Sequence, residues 1–195
     1  MRRASLLTLT VALVLVLATG IALAATIKGT DRDDFLRGTN GADNIGARGG
    51  NDEVRARAGN DQVFGGTNSD TLYGMENNDL IVGGRGNDRL DGGTGNDTLK
   101  SHFDGQRDNL TCNQGDRDVA YLEVNDIVDG NEAGDLVATA VDNTVTPVTS
   151  CETLKVYVTE NLVVTIELGE LTDVAGGTLR DVRSELIDLG FISIV

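Results

Sequence analysis

The stretch GGRGNDRLDGGTGNDTLK, residues 83–100, contains the same nine-residue pattern twice. Traced backwards in the same phase, an aspartate stands at every ninth position, and an aliphatic residue follows two positions after it. A flexible Gly-Asp segment would not keep this phase, and a collagen chain would need glycine at every third position and abundant proline. The aspartates are Asp34, Asp43, Asp52, Asp61, Asp70, Asp79, Asp88 and Asp97, and the aliphatic residues are Leu36, Ile45, Val54, Val63, Leu72, Ile81, Leu90 and Leu99.

Each unit divides into a turn and a short strand. The residue two positions before the aspartate is glycine or asparagine in seven of the eight units, and these residues readily adopt positive φ. The last three residues of a unit, such as Arg89-Leu90-Asp91, predict a strand whose middle side chain faces inward. Because each turn reverses the chain, two units of about 18 residues complete one coil. The sequence therefore predicts a mainly β fold, a right-handed parallel β-roll with a thin aliphatic core.

These units resemble the nonapeptide G-G-x-G-x-D-x-U-x, in which U is a large aliphatic residue. This motif is the calcium-binding repeat of the RTX, or haemolysin-type, proteins, and the resemblance covers residues 29–100. It implies that calcium ions bind between stacked turns and that the roll folds on binding them.

Stacking places turns 18 residues apart above one another, so the aspartates line two edges of the roll. Calcium takes six to eight oxygen ligands, which carboxylates and turn carbonyls supply, whereas magnesium demands a small octahedron. Zinc lacks its usual ligands, since His102 is the only histidine and the only two cysteines are expected to be oxidised. The expected sites pair the aspartates as 34/52, 43/61, 52/70, 61/79, 70/88 and 79/97. The expected carbonyl ligands belong to Gly65, Thr67, Gly83, Arg85, Gly92 and Thr94.

Some units depart from the repeat. Arg32 stands where glycine is expected in the first unit, so a site that uses Asp34 is the least expected. Arg48, Arg57 and Met75 replace the second glycine of three turns. We expect the sites 70/88 and 79/97 to be the best formed because their second turns are perfect copies.

The first 24 residues are typical of a secretory signal peptide. Arg2 and Arg3 precede the uncharged apolar run 6–18, and small residues lead to a cleavage site after Ala24. A retained membrane anchor is the alternative, but the run is shorter than the roughly 20 apolar residues of a spanning helix. Removing residues 1–24 removes two arginines and no acid, which takes the formal net charge from −15 to −17. Such a charge argues against nucleic acid as a partner.

The two cysteines, Cys112 and Cys151, are consistent with one disulfide in a secreted chain or with two buried free thiols. The segment around them resembles the closing segment of secreted bacterial RTX-like proteins, with Cys151 before Glu152. This resemblance implies a Cys112–Cys151 disulfide, although residues 129–148 are extra sequence between the landmarks.

The rest of the chain predicts a small C-terminal β-rich cap. Residues 154–168 predict two strands around Glu160-Asn161, Thr178 to Gly190 predicts a helix, and residues 191–195 predict a last strand. The expected divisions are a signal peptide (1–24), a roll (25–111), a disulfide-linked β extension (112–160) and a strand-helix-strand cap (161–195).

Catalytic motifs such as H-E-x-x-H and G-x-S-x-G are absent from the sequence, which favours a role without catalysis. We expect a secreted, monomeric calcium-binding protein with a structural role at or outside the cell surface. A calcium-dependent adhesin or toxin-like binding module is the alternative, with a cell-surface or matrix partner left open.

Overall fold

The computed structural model is a parallel β-roll built from two facing sheets. It describes residues 23–101, 104–114, 117–128, 131–132, 151–159, 161–167, 170–175 and 177. The first sheet contains β1 (Thr26–Lys28), β3 (Asn44–Gly49), β5 (Gln62–Thr67), β7 (Leu80–Arg85), β9 (Thr98–Lys100), β11 (Val119–Glu123), β14 (Thr153–Thr159), β15 (Leu162–Glu167) and β16 (Glu170–Ala175). The second contains β2 (Phe35–Arg37), β4 (Glu53–Ala58), β6 (Thr71–Glu76), β8 (Arg89–Thr94), β10 (Asn109–Gln114), β12 (Ile127–Val128) and β13 (Asn131–Glu132).

The chain alternates between the two sheets, so successive coils pair in parallel with an offset of 18 residues. Leu72 of β6 pairs with Leu90 of β8, and Ile81 of β7 pairs with Leu99 of β9. These side chains are fully buried between the sheets, as the period of the aliphatic residues predicted. The predicted mainly β fold and parallel β-roll are confirmed.

The strands β3 to β8 are six residues long, twice the predicted length. Each continues into the first three positions of the following turn, because the backbones of stacked turns also pair in parallel. Gly66, for example, pairs with Gly84, and Thr67 pairs with Arg85. The turns therefore form part of the regular stack, which fixes the spacing of their carbonyl groups.

Both sheets continue beyond the eighth unit. β10 stacks on β8, β11 on β9 and β14 on β11, all in parallel. The chain then forms antiparallel pairs, β14 with β15 and β15 with β16, which confirms the two predicted strands around Glu160-Asn161.

The predicted disulfide between Cys112 and Cys151 is confirmed, with 5.3 Å between the two Cα atoms. It joins β10, which contains Cys112, to the residues directly before β14, and both cysteines are buried in the core. The two residues are 39 positions apart, and a loop of this length corresponds to about 4 kcal/mol of stabilisation in the chain-entropy model.

The predicted signal peptide, apart from residues 23 and 24, and the predicted helix and last strand of the cap lie outside the described residues. The described residues contain no helix. They therefore include no helix that is long and apolar enough to cross a membrane. The four-part division of the chain stays a prediction.

Candidate metal centre

The aspartates of the repeat form two columns along the edges of the roll, which we call the aspartate ladders. In each ladder, Oδ1 of one aspartate accepts a hydrogen bond from the backbone N–H of the aspartate 18 residues earlier. The Asp70 N–H donates to Asp88 Oδ1 (2.9 Å), and the Asp79 N–H donates to Asp97 Oδ1 (2.8 Å). The same bond joins Asp34 to Asp52, Asp43 to Asp61, Asp52 to Asp70 and Asp61 to Asp79. One carboxylate oxygen therefore holds adjacent coils together, a role that the sequence did not reveal.

The second carboxylate oxygen, Oδ2, is buried and bare in most turns. It has no hydrogen-bond partner among the described residues, although such a burial ordinarily costs about 1–3 kcal/mol, more for a charged group. The roll thus presents a regular series of unsatisfied anionic oxygens, which is the arrangement that a bound cation would satisfy. The aspartates concerned include Asp52, Asp61, Asp70, Asp79, Asp88, Asp97 and Asp108.

The first glycine of a turn leaves space directly in front of Oδ2. A Cβ atom on Gly65 or Gly83 would lie 2.5 Å from Oδ2 of Asp70 or Asp88, closer than real Cβ contacts. Two other turns begin with Ala47 and Ala56, which are fully buried. A side chain at the first position of a turn takes up the space beside Oδ2. The turns that begin with glycine therefore leave more room for a ligand of Oδ2 than the turns that begin with alanine.

The turns between residues 47 and 97 have positive φ at their second and fourth positions. In the turn 83–88 these are Gly84 (φ 109°) and Gly86 (φ 132°). Arg48, Arg57 and Met75 adopt the same conformation at φ 84–90°, despite the cost of roughly 1–2 kcal/mol for a residue other than glycine. The substitutions at the second glycine therefore leave the turn geometry intact.

The proposed carbonyl ligands lie in stacked turns. The Gly83 oxygen lies next to Gly65, and the Gly92 oxygen lies 2.6 Å from where a Cβ of Gly74 would be. Thr67 and Arg85 are paired neighbours at the ends of β5 and β7, and Thr94 ends β8. No group of three or more acidic, histidine or cysteine side chains forms a metal cluster in the described residues. A cation between two turns would need main-chain carbonyls to complete its coordination.

The first two turns differ from the others because threonine occupies their second position. The Thr30 N–H and hydroxyl donate to Asp34 Oδ2 at 2.6 and 2.9 Å, and the Thr39 N–H donates to Asp43 Oδ2 at 2.6 Å. A β-branched residue rarely tolerates positive φ, and neither threonine has it. Each threonine instead donates a hydrogen bond to the aspartate of its own turn, so Oδ2 of Asp34 and Oδ2 of Asp43 already have hydrogen-bond partners.

Burial is the main cause of raised pKa values along the ladders, and neighbouring carboxylates raise them further. The pKa of Asp79 rises to about 8 and that of Asp70 to about 7, while those of Asp88 and Asp97 rise to about 6. The backbone hydrogen bond to each carboxylate acts in the opposite direction but does not compensate for the burial. Without a counter-ion, the folded roll therefore disfavours the charged form of these groups.

The ladders continue beyond residue 100, where the nine-residue period is lost. Oδ1 of Asp108 accepts from Asp88 N–H, and Oδ1 of Asp118 accepts from Asp97 N–H. Oδ1 of Asp126 then accepts from Asp108 N–H, and Glu152 accepts from Asp118 N–H. The nine-residue period does not reach these four residues. The triplet of an acid, any residue and an aliphatic residue nevertheless persists at every one of these positions, and it identifies them as degenerate further turns.

Comparison with known proteins supports this geometry. Residues 28–63 and 64–99 each match the family model described as the RTX calcium-binding nonapeptide repeat, in four copies. No curated protein and no solved structure matches the chain. Stacked, buried aspartates with bare oxygens agree with the hard, oxygen-rich coordination that calcium prefers. Residues 28–99 are RTX calcium-binding nonapeptide repeats, and Ca²⁺ is the cofactor of this chain.

Proposed function

We propose that this chain is a secreted calcium-binding protein whose roll folds when Ca²⁺ binds between stacked turns. Its role is structural, at or outside the cell surface, and it involves no catalysis. The observation that carries the proposal is the series of buried Oδ2 atoms that have no partner among the described residues. Each is an anionic oxygen that folding removes from water, so a cation bound only to the folded state stabilises that state by mass action.

The calcium sites lie between the turns that carry Asp52 and Asp70, Asp61 and Asp79, Asp70 and Asp88, and Asp79 and Asp97. Carbonyl oxygens complete them, and those of Gly65, Thr67, Gly83, Arg85, Gly92 and Thr94 are the candidates. Asp34 and Asp43 do not contribute, because the threonines of their own turns occupy Oδ2. The four sites therefore begin at the third turn.

Two features of the sequence support export. The apolar run 6–18 with two preceding arginines is typical of a signal peptide, and RTX repeats are typical of secreted bacterial proteins. Extracellular calcium modules commonly bind with dissociation constants of about 10⁻⁴–10⁻³ M, far above cytosolic calcium concentrations. A roll of this affinity stays unfolded before export and folds outside the cell.

Counting bound ions by native mass spectrometry tests the proposal. The wild-type chain in calcium is expected to carry at least four ions, and Asp79→Asn is expected to carry two fewer because Asp79 serves two sites. Asparagine keeps the Oδ1 acceptor of the ladder and replaces only Oδ2. Asp31→Asn, an exposed position off the ladders, is the control with the same change of charge and is expected to leave the count unchanged. A wild-type chain without calcium, or an unchanged count in Asp79→Asn, would contradict the proposal.

A calcium-dependent binding module is the second candidate, and one observation favours it. Arg37, Arg55 and Arg57 line an open cavity of about 350 Å³ on the second sheet, in a chain of net charge −15. Arg55 also stacks on the exposed Phe35 ring, 5.6 Å from its centre. A pull-down on cells and isolated cell walls separates the candidates: a binding module is retained only with calcium, whereas a purely structural protein is not retained in either condition.

A further inference from the structure

Three arginines lie side by side on the outer face of the second sheet. Arg37 of β2 pairs with Arg55 of β4, and Arg57 lies two positions further along β4. They line one open cavity of about 350 Å³, a volume in the range of small-ligand sites. We call it the arginine cavity, and it is also lined by Asn40, Met75 and Glu76.

The sequence departs from its repeat at this cavity. Arg57 and Met75 occupy the second position of their turns, where the repeat has glycine, and the two residues are paired between β4 and β6. Both adopt positive φ, 90° and 84°, a conformation that is unfavourable for residues that carry a Cβ. Glycine would form these turns with less strain, and strained residues are concentrated where function uses them. The roll therefore gives up stability to place two large side chains against the same cavity.

The arginine cavity is basic, although the chain has a formal net charge of −15. Arg55 forms an exposed ion pair with Glu53 at 2.7 Å, whereas Arg37 and Arg57 form no ion pair with any residue that the structure describes. Glu76 is the one acid among the described residues that line the cavity. A guanidinium group stays charged at physiological pH and binds carboxylate, sulfate or phosphate oxygens through two parallel hydrogen bonds. The cavity therefore presents two unpaired cations to an anionic ligand.

An aromatic surface lies beside the arginines. The Phe35 side chain is 61% exposed, and its ring centre is 5.6 Å from the guanidinium carbon of Arg55. The same carbon lies 5.8 Å from the centre of the Tyr73 ring, so Arg55 is held between rings of the two flanking strands. An exposed ring packs well against the C–H face of a sugar, and the Asn40 amide and the Glu76 carboxylate offer hydrogen bonds to sugar hydroxyls. The cavity therefore combines groups that bind a sugar with groups that bind an anion.

We propose that the arginine cavity binds an acidic sugar unit of a polysaccharide. Arg37 and Arg57 bind the carboxylate or sulfate group of the sugar, and the Phe35 ring packs against its face. Nucleic acid fits less well, because it needs a continuous basic track along its backbone, whereas these arginines form one small cavity on an acidic protein. An acidic polysaccharide is thus the partner of the calcium-dependent binding module.

The inference rests on the proposed function, because the cavity exists only in the folded roll. Its residues come from β2, β4 and β6 and from the stacked turns 38–43, 56–61 and 74–79. The proposed function places a calcium ion between the last two of these turns, beside Asp61 and Asp79. Binding of the sugar therefore requires calcium, because the ion holds together the turns that form the cavity.

Titration calorimetry of the full-length chain at a fixed free calcium concentration tests the inference. The probes are an oligouronate, a sulfated oligosaccharide and a neutral oligosaccharide of equal length, and a single-stranded oligonucleotide of equal charge. We expect at least one acidic oligosaccharide to bind roughly tenfold more tightly than the neutral one and the oligonucleotide, and the tighter of the two identifies the anionic group. Equal binding of all probes, tighter binding of the oligonucleotide, or no binding by a folded, calcium-loaded chain overturns the inference. A chain that carries no calcium overturns the proposed function instead.

Restoring the repeat separates binding from stability. Arg57→Gly replaces a strained residue with the glycine of the repeat, so we expect it to melt no lower than the wild type in calcium. It also removes one of the two unpaired cations, so we expect the acidic oligosaccharide to bind roughly tenfold more weakly. Arg37→Gln removes the other unpaired cation from an exposed position of β2 and is expected to show the same loss.

Arg48→Gly is the matched control for Arg57→Gly. Arg48 occupies the same position of its turn, with φ 86°, but it does not line the arginine cavity. We expect this variant to bind the acidic oligosaccharide as tightly as the wild type does. Unchanged affinity in Arg57→Gly and Arg37→Gln overturns the inference. An equal loss in Arg48→Gly overturns it as well, because binding would then follow the net charge of the chain and not the cavity.

Discussion

Removing calcium is expected to unfold the roll of residues 28–100. The folded state confines a glycine-rich chain, carries a large negative charge and buries carboxylate oxygens. Its core is thin, because each strand of the roll buries only one or two apolar side chains. At ten times its dissociation constant each ion stabilises the folded state by about 1.4 kcal/mol, so four ions supply roughly 5–6 kcal/mol. This amount is comparable to the total stability of a small domain.

Far-ultraviolet circular dichroism and limited proteolysis of the chain, with calcium and with excess chelator, measure this effect. We expect the β spectrum to disappear in chelator, the roll to become protease-sensitive, and both to recover when calcium is restored. Magnesium at the same concentration is the control and is expected not to restore the fold, because it prefers a small octahedral shell and retains its water. A complete β spectrum in chelator would show that folding is independent of the metal.

Low pH is expected to stabilise the calcium-free roll in part, because protons then neutralise the buried aspartates in place of calcium. The pKa of Asp79 is raised to about 8 and that of Asp70 to about 7 in the folded roll, mainly by burial, against 3.8 for an ordinary aspartate. Between these values the folded state holds protons that the unfolded chain has released, so the metal-free roll loses stability as the pH rises from about 4 to about 8. In calcium-free buffer the β signal should therefore be larger at pH 5 than at pH 8. The opposite trend would show that burial does not govern these carboxylates.

Replacing Gly84 by threonine is expected to remove calcium from the turn 83–88 and to destabilise the roll. Gly84 has φ 109°, and its Cβ position lies under 3.0 Å from backbone atoms of Gly66. Threonine does not tolerate this conformation, and in the first turn Thr30 instead closes the turn on Asp34 Oδ2. The same closure in the variant would occupy Asp88 Oδ2. Strain and the loss of an ion together cost about 2–4 kcal/mol.

Thermal unfolding in calcium and native mass spectrometry measure the two consequences. Gly46→Thr is the matched control: it makes the same change in a strand where a Cβ meets nothing within 4 Å. We expect Gly84→Thr to melt roughly 5–15 °C below the wild type and to lose at least one ion, and the control to do neither. If the two variants melt together and bind the same number of ions, the second position of the turn does not control the site.

The repeat made the fold predictable because the same local conformation recurs in every nonapeptide. A turn that needs positive φ and a strand with one inward aliphatic side chain give a coil of two units, and Leu72 and Leu90 must then stack. The calcium ion was predictable for the same reason, since Asp70 and Asp88 recur at the coil spacing.

Beyond the repeat the sequence was less informative. Asp108 joins the ladder after a 20-residue coil, and Glu152 joins it from a segment 34 residues after Asp118. No fixed period finds such residues, because the number of residues between two strands does not change where those strands stack.

The sequence by itself determined the parallel β-roll, the aspartate edges and the calcium ion, because these follow from the conformation of one nonapeptide and its repetition. The tertiary structure decided which carboxylate oxygens are available. Oδ1 accepts a hydrogen bond from the backbone of a neighbouring coil. In the first two turns Oδ2 accepts a hydrogen bond from Thr30 or Thr39. In the ladder aspartates from Asp52 to Asp108, Oδ2 has no hydrogen-bond partner among the described residues. That distinction depends on contacts between coils, and the spacing of residues along the chain does not encode which oxygen a stacked neighbour will use.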